Sequence, residues 1–235
     1  MTITIEKSTM KLSKTTLNIL KNFSSLNSNL LIKQGNKIST ITPAKNVIGE
    51  ATVEEDFPVE FGIWDLNKFL GTISLFDNPK FTFHDKFVDI EGDNGGTVHF
   101  YYSEPSLLTT LKKEINMPEV VIDFDLSEDN FGEIMKASSV LQLSDLCIRS
   151  NDDEGTIELV VLDKKSSTTN SYIVSLGENE TNDSFEFYYR VENLKLFKGN
   201  YSVSICKTVV SKFVHEDLGL QYYIALESDS KYEEG

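Results

Sequence analysis

The stretch KLSKTTLNILKNFSSL, Lys11 to Leu26, restricts the fold more than any other part of the chain. Placed on a helix of 3.6 residues per turn, it puts Leu12, Thr16, Ile19, Leu20, Phe23 and Leu26 in one arc. Lys11, Lys14, Asn18 and Lys21 fall in the opposite arc. Lysines on a solvated helix usually have acids one turn away, because i,i+4 pairs of opposite sign add stability. None is present here. From Lys7 to Gly49 the chain has no Asp or Glu, while Lys7, Lys11, Lys14, Lys21, Lys33, Lys37 and Lys45 give the window +7. Such a helix must bury its apolar side on a sheet, and its other side is fitted to something anionic.

The rest of the chain is strongly acidic. A second basic window, Arg190 to His215, carries Arg190, Lys195, Lys198, Lys207 and Lys212 against Glu192, for +4. With a total of −15, these two windows leave −26 for the remainder. A pI near 4.6 would by itself argue against a polyanionic partner, but segregation of this kind marks one basic face on an otherwise repulsive molecule. The 235 residues suffice for one large domain or two of roughly 100–150 residues. No run approaches the roughly 18 apolar residues of a membrane span, and MTITIEKSTMK lacks the apolar centre of a secretory signal. A soluble protein that stays in the compartment where it is made is expected. Cys147 and Cys206 lie outside any C-x-x-C and read as buried thiols.

Short strands punctuated by four short helices make up the pattern. After the first helix, at 12–26, LLIKQGNKISTI reads as a hairpin around Gly35-Asn36, and NVIGEATVE and PVEFGI are extended. In WDLNKFLGTISLF, Trp64, Leu66, Phe69, Leu70 and Ile73 recur at helical spacing, which predicts a second helix over 64–76 with Lys68 turned away. KFTFHD, KFVDIEG and TVHFYY are further strands. PSLLTTLKKEINMP, bounded by Pro105 and Pro118, is a linker with an apolar side. The order then repeats: VVIDFDL is a strand, and Ser127 caps a helix with Glu128 and Asp129 in its first turn and a stripe of Phe131, Ile134, Met135, Ser138 and Leu141. DLCIRS, TIELVVLD, NSYIVSL and SFEFYYR are strands, VENLKLF is a fourth helix at 191–197, and YSVSICK, VVSKFVHE and LQYYIALES complete the pattern. Helix 12–26 corresponds to 127–141 and 64–76 to 191–197. The fold class expected is therefore α+β, with two similar domains, each bearing two helices on one face of antiparallel sheets. Boundaries fall at 1–104, a linker at 105–118, and 119–235.

Catalytic and metal-binding constellations are missing from the sequence. No G-x-x-x-x-G-K-[ST] loop occurs, and GDNGGT is a hairpin turn. Asp123, Asp125 and Ser127 begin like a calcium loop, but its sixth position is Glu128 and its twelfth Ile134. His84, His99 and His215 share no ligand spacing and read as core or surface residues; no G-x-S-x-G accompanies them. No catalytic residue, metal or cofactor is expected. What remains is binding by shape and charge, either to a nucleic acid or, as an acidic β-rich virion or assembly protein, through a lysine helix on an acidic partner.

Three segments carry a resemblance. KLSKTTLNILKNFSSLNSNLLIKQGNKI, PVEFGIWDLNKFLGTISLF and QYYIALESDS are similar, in this order, to the sliding clamp, or DNA polymerase processivity factor, of T-even-type bacteriophages. The resemblance extends from Met10 to about Ser230; between Val120 and Phe185 it rests on strand and helix order. It implies a PCNA-like clamp fold, closed head to tail as a homotrimeric ring around double-stranded DNA without regard to sequence. It also implies an ATP-driven clamp loader, tethering of the replicative DNA polymerase during viral DNA replication, help to late transcription, and the cytoplasm of an infected bacterium as its place of action. Met1 to Thr9 precede the point where the family begins, so either Met10 is the natural start or TITIE adds a strand.

The resemblance gives the lysines a role, because four helices per subunit would line the hole. Lys11, Lys14, Lys21 and Lys68 in the first domain, and Lys136, Lys195 and Lys198 in the second, are the expected DNA contacts. Edge strands would pair across subunits, with Lys86 to Tyr102 meeting an edge strand of the second domain. The polymerase's C-terminal peptide would enter a pocket formed by Leu108, Leu111, Ile115 and Met117 of the linker, with Tyr223, Ile224, Ala225 and Leu226 opposite.

Overall fold

The computed structural model of the chain describes residues 9–113, 115–166, 168–181, 183–207 and 209–235; the TITIE segment lies outside them. The chain divides into two compact units, residues 1–113 and 114–235, a division inside the stretch bounded by Pro105 and Pro118.

In the first unit, β1 (Thr9–Met10) leads into α1 (Lys14–Leu26), followed by β2 (Leu30–Ile32), β3 (Gly35–Ile41), β4 (Val47–Phe57) and β5 (Phe61–Ile63). Then come α2 (Leu66–Ile73), β6 (Lys80–Phe83), β7 (Phe87–Glu91) and β8 (Thr97–Tyr101). Two antiparallel arrays result, in the orders β5-β2-β3-β4 and β1-β6-β7-β8. The β2–β3 hairpin pairs Ile32 with Ile38, and its Gly35 sits at φ 108°, a conformation that disfavours a side chain. Period-two alternation decides which face of each strand is covered. In β4, Val47, Gly49, Ala51, Val53, Glu55 and Phe57 point inward and Thr52, Glu54 and Asp56 outward. Phe23 of α1 lies directly over Gly49, where an added Cβ would stand 2.8 Å from the ring. Phe69 of α2 meets Phe81 and Phe100 with ring centroids 6.5 and 4.9 Å away.

The second unit runs β9 (Val120–Leu126), α3 (Glu128–Leu141), β10 (Asp145–Asn151), β11 (Thr156–Leu162), β12 (Tyr172–Glu178), β13 (Ser184–Arg190), β14 (Tyr201–Cys206), β15 (Val210–His215), β16 (Leu220–Ala225) and β17 (Lys231–Glu233). Its arrays are β12-β11-β10-β13-β17 and β16-β15-β14-β9. Ile134 and Ser138 are the buried members of the α3 stripe. Cys147 and Cys206 are both buried.

Two helix expectations need correction. The second helix starts at Leu66, with Asp65 as its cap, so Trp64 lies before it and is 59% exposed. The fourth helix does not form: Val191–Asn193 makes a single 3-10 turn, and the described residues of the second unit hold one α-helix, not two. Side chains take the backbone groups that a continuing helix would pair. The Phe197 N–H donates to the Tyr222 hydroxyl at 3.2 Å, the Phe197 carbonyl accepts from Tyr201 at 2.5 Å, and the Lys198 carbonyl lies 3.1 Å from His215 Nε2. Gly199 follows at φ 149°, with the His215 ring where a Cβ would be. Past its 3-10 turn the end of the segment is thus held out of a helix by tyrosines and a histidine that the helical spacing of its own residues does not register.

Gly62 and Gly132 separate close packing from chain entropy. A Cβ on Gly62 would collide with the Ser103 carbonyl and the Leu108 side chain, whereas nothing lies within 4 Å of Gly132 in α3. Gly62→Ala should destabilise the protein by roughly 1–3 kcal/mol, and Gly132→Ala should stabilise it by about 0.5–1 kcal/mol, both read from denaturant midpoints.

Candidate nucleic-acid interface

Ser13 begins the basic surface. Its hydroxyl accepts the Thr16 N–H at 3.1 Å, the cap that lets α1 start three residues after Lys11. A helix N-terminus favours nearby negative charge, yet α1 has no acid in its first turn. The charge comes from below. Glu55 of β4, 8% exposed, accepts from the Ser13 N–H and, at 2.5 Å, from the Thr16 hydroxyl. Lysine is therefore the only charged residue on the exposed face of the helix: Lys14 and Lys21, with Lys11 just before α1, are exposed and form no ion pair among the described residues. Lys68 is exposed on α2, where Asp65 Oδ1 accepts its backbone N–H at 2.9 Å. Both helices cover the inward faces of their sheets. Acids occupy outward positions: Glu54 and Asp56 are exposed on β4, and Asp89 and Glu91 are half-buried on β7.

The second unit differs. Ser127 caps α3, accepting the Asn130 N–H at 3.2 Å, but Glu128 and Asp129 stand in the first turn on its own surface. The Tyr172 hydroxyl of β12 donates to Glu133, and Lys136 is the single lysine on the helix. Lys198 bonds Glu128 at 2.9 Å. Lys195 and Lys198 lie outside any helix. Of the seven lysines, Lys14, Lys21 and Lys68 stand on the two packed helices of the first unit with Lys11 just before α1, whereas Lys136 stands on α3 and Lys198 reaches its first turn.

Among the apolar residues of the linker and C-terminal strand, Leu108, Tyr223 and Ile224 are buried, whereas Leu111, Ile115, Met117, Ala225 and Leu226 are half-buried. Leu107, an apolar residue of the same stretch that lies outside the expected peptide pocket, is 64% exposed in the 3-10 turn Pro105–Leu107. Glu55 was also missed, because an acid at an inward strand position breaks alternation and reads as a face error unless its partner is known. Among the described residues no group of three or more His, Cys, Asp and Glu is placed to hold a metal. His84 and His99 instead both bond Asp89, the first at 2.8 Å.

The matching sequences agree with this geometry. The sliding clamp of Vibrio phage KVP40 is 34% identical over 222 residues, covering 93% of this chain and 100% of its own. The chain belongs to the sliding-clamp family. The sliding clamp of Escherichia phage RB69 is 29% identical, covering 95% of this chain and all of its own. Residues 11–99 match the DNA polymerase processivity factor family, and residues 123–228 match the gp45 sliding clamp C-terminal family. The solved Archaeoglobus fulgidus PCNA bound to the C-terminal region of FEN-1 is 13% identical, with a TM-score of 0.70 over 95% of this chain and 98% of its own, which establishes the PCNA-like clamp fold. Sliding clamps are processivity factors that tether without catalysing a reaction.

Burial alone would raise the Glu55 carboxyl pKa, but the hydrogen bonds from Ser13 and Thr16 outweigh it and hold the pKa below the ordinary 4.5. A depressed carboxylate contributes stability that is present above the ordinary value and is lost as pH falls through the folded one. Glu55→Gln should lower stability by roughly 1.5–3 kcal/mol at neutral pH. Its difference from the parent should close below pH 4.5 in acid titrations followed by circular dichroism.

Proposed function

We propose that this sliding clamp closes head to tail as a homotrimer around double-stranded DNA and tethers the replicative polymerase. The observation that carries the reading is the opposition of charge in the first unit: no charge but lysine on the exposed side of α1, acids on the outward side of β4. Such a body attracts a duplex on one side and repels it on the other. Duplex DNA presents one charge per roughly 1.7 Å of axis whatever its sequence, so a lysine lining holds without reading and permits sliding. Persistence then comes from topology, and each contact can be weak.

Ring closure uses sheet edges. β8 and β12 are edge strands, each with apolar side chains in the open, Tyr101 at 68% and Ile173 at 47% exposure. Unpaired edges of this kind invite a neighbouring strand, and β8 of one subunit joins β12 of the next. Leu108, Leu111, Ile115 and Met117 of the linker and Tyr223, Ile224, Ala225 and Leu226 of the C-terminal strand serve partner peptides such as the polymerase C-terminus; the FEN-1 C-terminal region on A. fulgidus PCNA is the precedent. Loading by an ATPase clamp loader, help to late transcription, and action in the cytoplasm of an infected bacterium complete the proposal. The domains are 1–104 and 119–235, joined by 105–118.

In solution the protein should have the mass of a trimer. Loaded on nicked circular DNA with loader and ATP, it should persist for many minutes and leave within seconds once a nuclease linearises the circle. Monomeric behaviour, or loss that ignores DNA ends, would instead fit an acidic assembly protein.

A further inference from the structure

The two units present their helices to solvent with opposite charge. In the first, Lys11, Lys14, Lys21 and Lys68 are exposed, and the one acid beside them, Asp65, is occupied in capping α2. In the second, the exposed surface of α3 carries Asp129, Glu133 and Lys136, and Glu128 in the same first turn already holds Lys198 at 2.9 Å. Each unit solves the same problem differently. Both α1 and α3 begin at a serine cap and both need negative charge near their N-terminus. α3 takes it from Glu128 and Asp129 on its own surface, in the path of any polyanion. α1 takes it from Glu55, buried beneath the helix, which leaves the exposed side free of acid.

We propose that contacts to DNA phosphates are made by α1 and α2 of the first unit and that α3 of the second unit makes none. The inference rests on the clamp reading, and it changes the lining that reading implies. In a head-to-tail trimer, three cationic sectors alternate with three that are neutral or anionic, so the duplex is held at three places and is free between them. Lys136 is exposed but shares α3 with three acids, Glu128, Asp129 and Glu133, and Lys198 pairs with Glu128 at 2.9 Å. The local potential around both is therefore less favourable to a phosphate than that around Lys14 and Lys21.

Run-off from open-ended linear DNA tests this, because phosphate contacts retard one-dimensional sliding and their effect falls with salt. The loaded clamp is compared with Lys14→Gln/Lys21→Gln and with Lys136→Gln, each at 50 and 200 mM NaCl; trimer mass and retention on closed circles are measured in parallel. The α1 pair should leave linear DNA at least about threefold faster at low salt and lose about half of the salt dependence, because two of the four lysines per subunit are removed. Lys136→Gln should show less than a quarter of that change. Equal effects of the two variants, a larger effect of Lys136→Gln, or no effect of the α1 pair would overturn the inference while the clamp reading stands, provided that closed circles still retain the protein. If the unaltered clamp leaves circles as fast as linear DNA, the clamp reading itself fails.

Discussion

A carboxylate placed under a helix allows the rest of the arrangement. Glu55 sits on the covered face of β4 and accepts hydrogen bonds from the start of α1. Without it, the N-terminal amides would need an acid in the first turn, and the lysines at 11, 14 and 21 would share their surface with negative charge. Moving the anion to the inner side separates stability from surface potential. The helix is held by Ile19, Leu20, Phe23 and Leu26, each buried and each worth about 1.5–3 kcal/mol of apolar transfer. The exposed side is then free to be chosen for its partner alone.

The fold was legible where apolar spacing was regular and uninterrupted. The α1 stripe and the Ser127 start of α3 fall where 3.6-residue periodicity and capping place them. Strands β4, β7 and β13 follow period-two alternation, whereas β10 and β11 are buried along most of their length. Legibility failed where a segment's conformation is settled by residues far along the chain. VENLKLF has helical spacing, but Tyr201, Tyr222 and His215 take the backbone groups at its end, and nothing local announces them. Trp64 continues the apolar series of α2 on paper, yet Asp65 caps the helix after it and leaves the indole outside.

The candidate interface was legible in part for the same reason. An acid-free window of 43 residues is visible in the sequence itself, and it holds Lys11, Lys14 and Lys21 of the α1 region, though not Lys68 of α2. Lys195 and Lys198 stand out in the sequence through the second basic window, but the helix expected to carry them does not form, so their place in the fold was not legible.

The exposed indole at the entrance to α2 also has a practical meaning. Trp64 is the chain's sole tryptophan, so the ultraviolet emission of the whole molecule is an optical signal from one corner of the first unit. Events there will colour the spectrum directly, while a change confined to the second unit will reach it only through that unit's seven tyrosines, whose light lies at shorter wavelength.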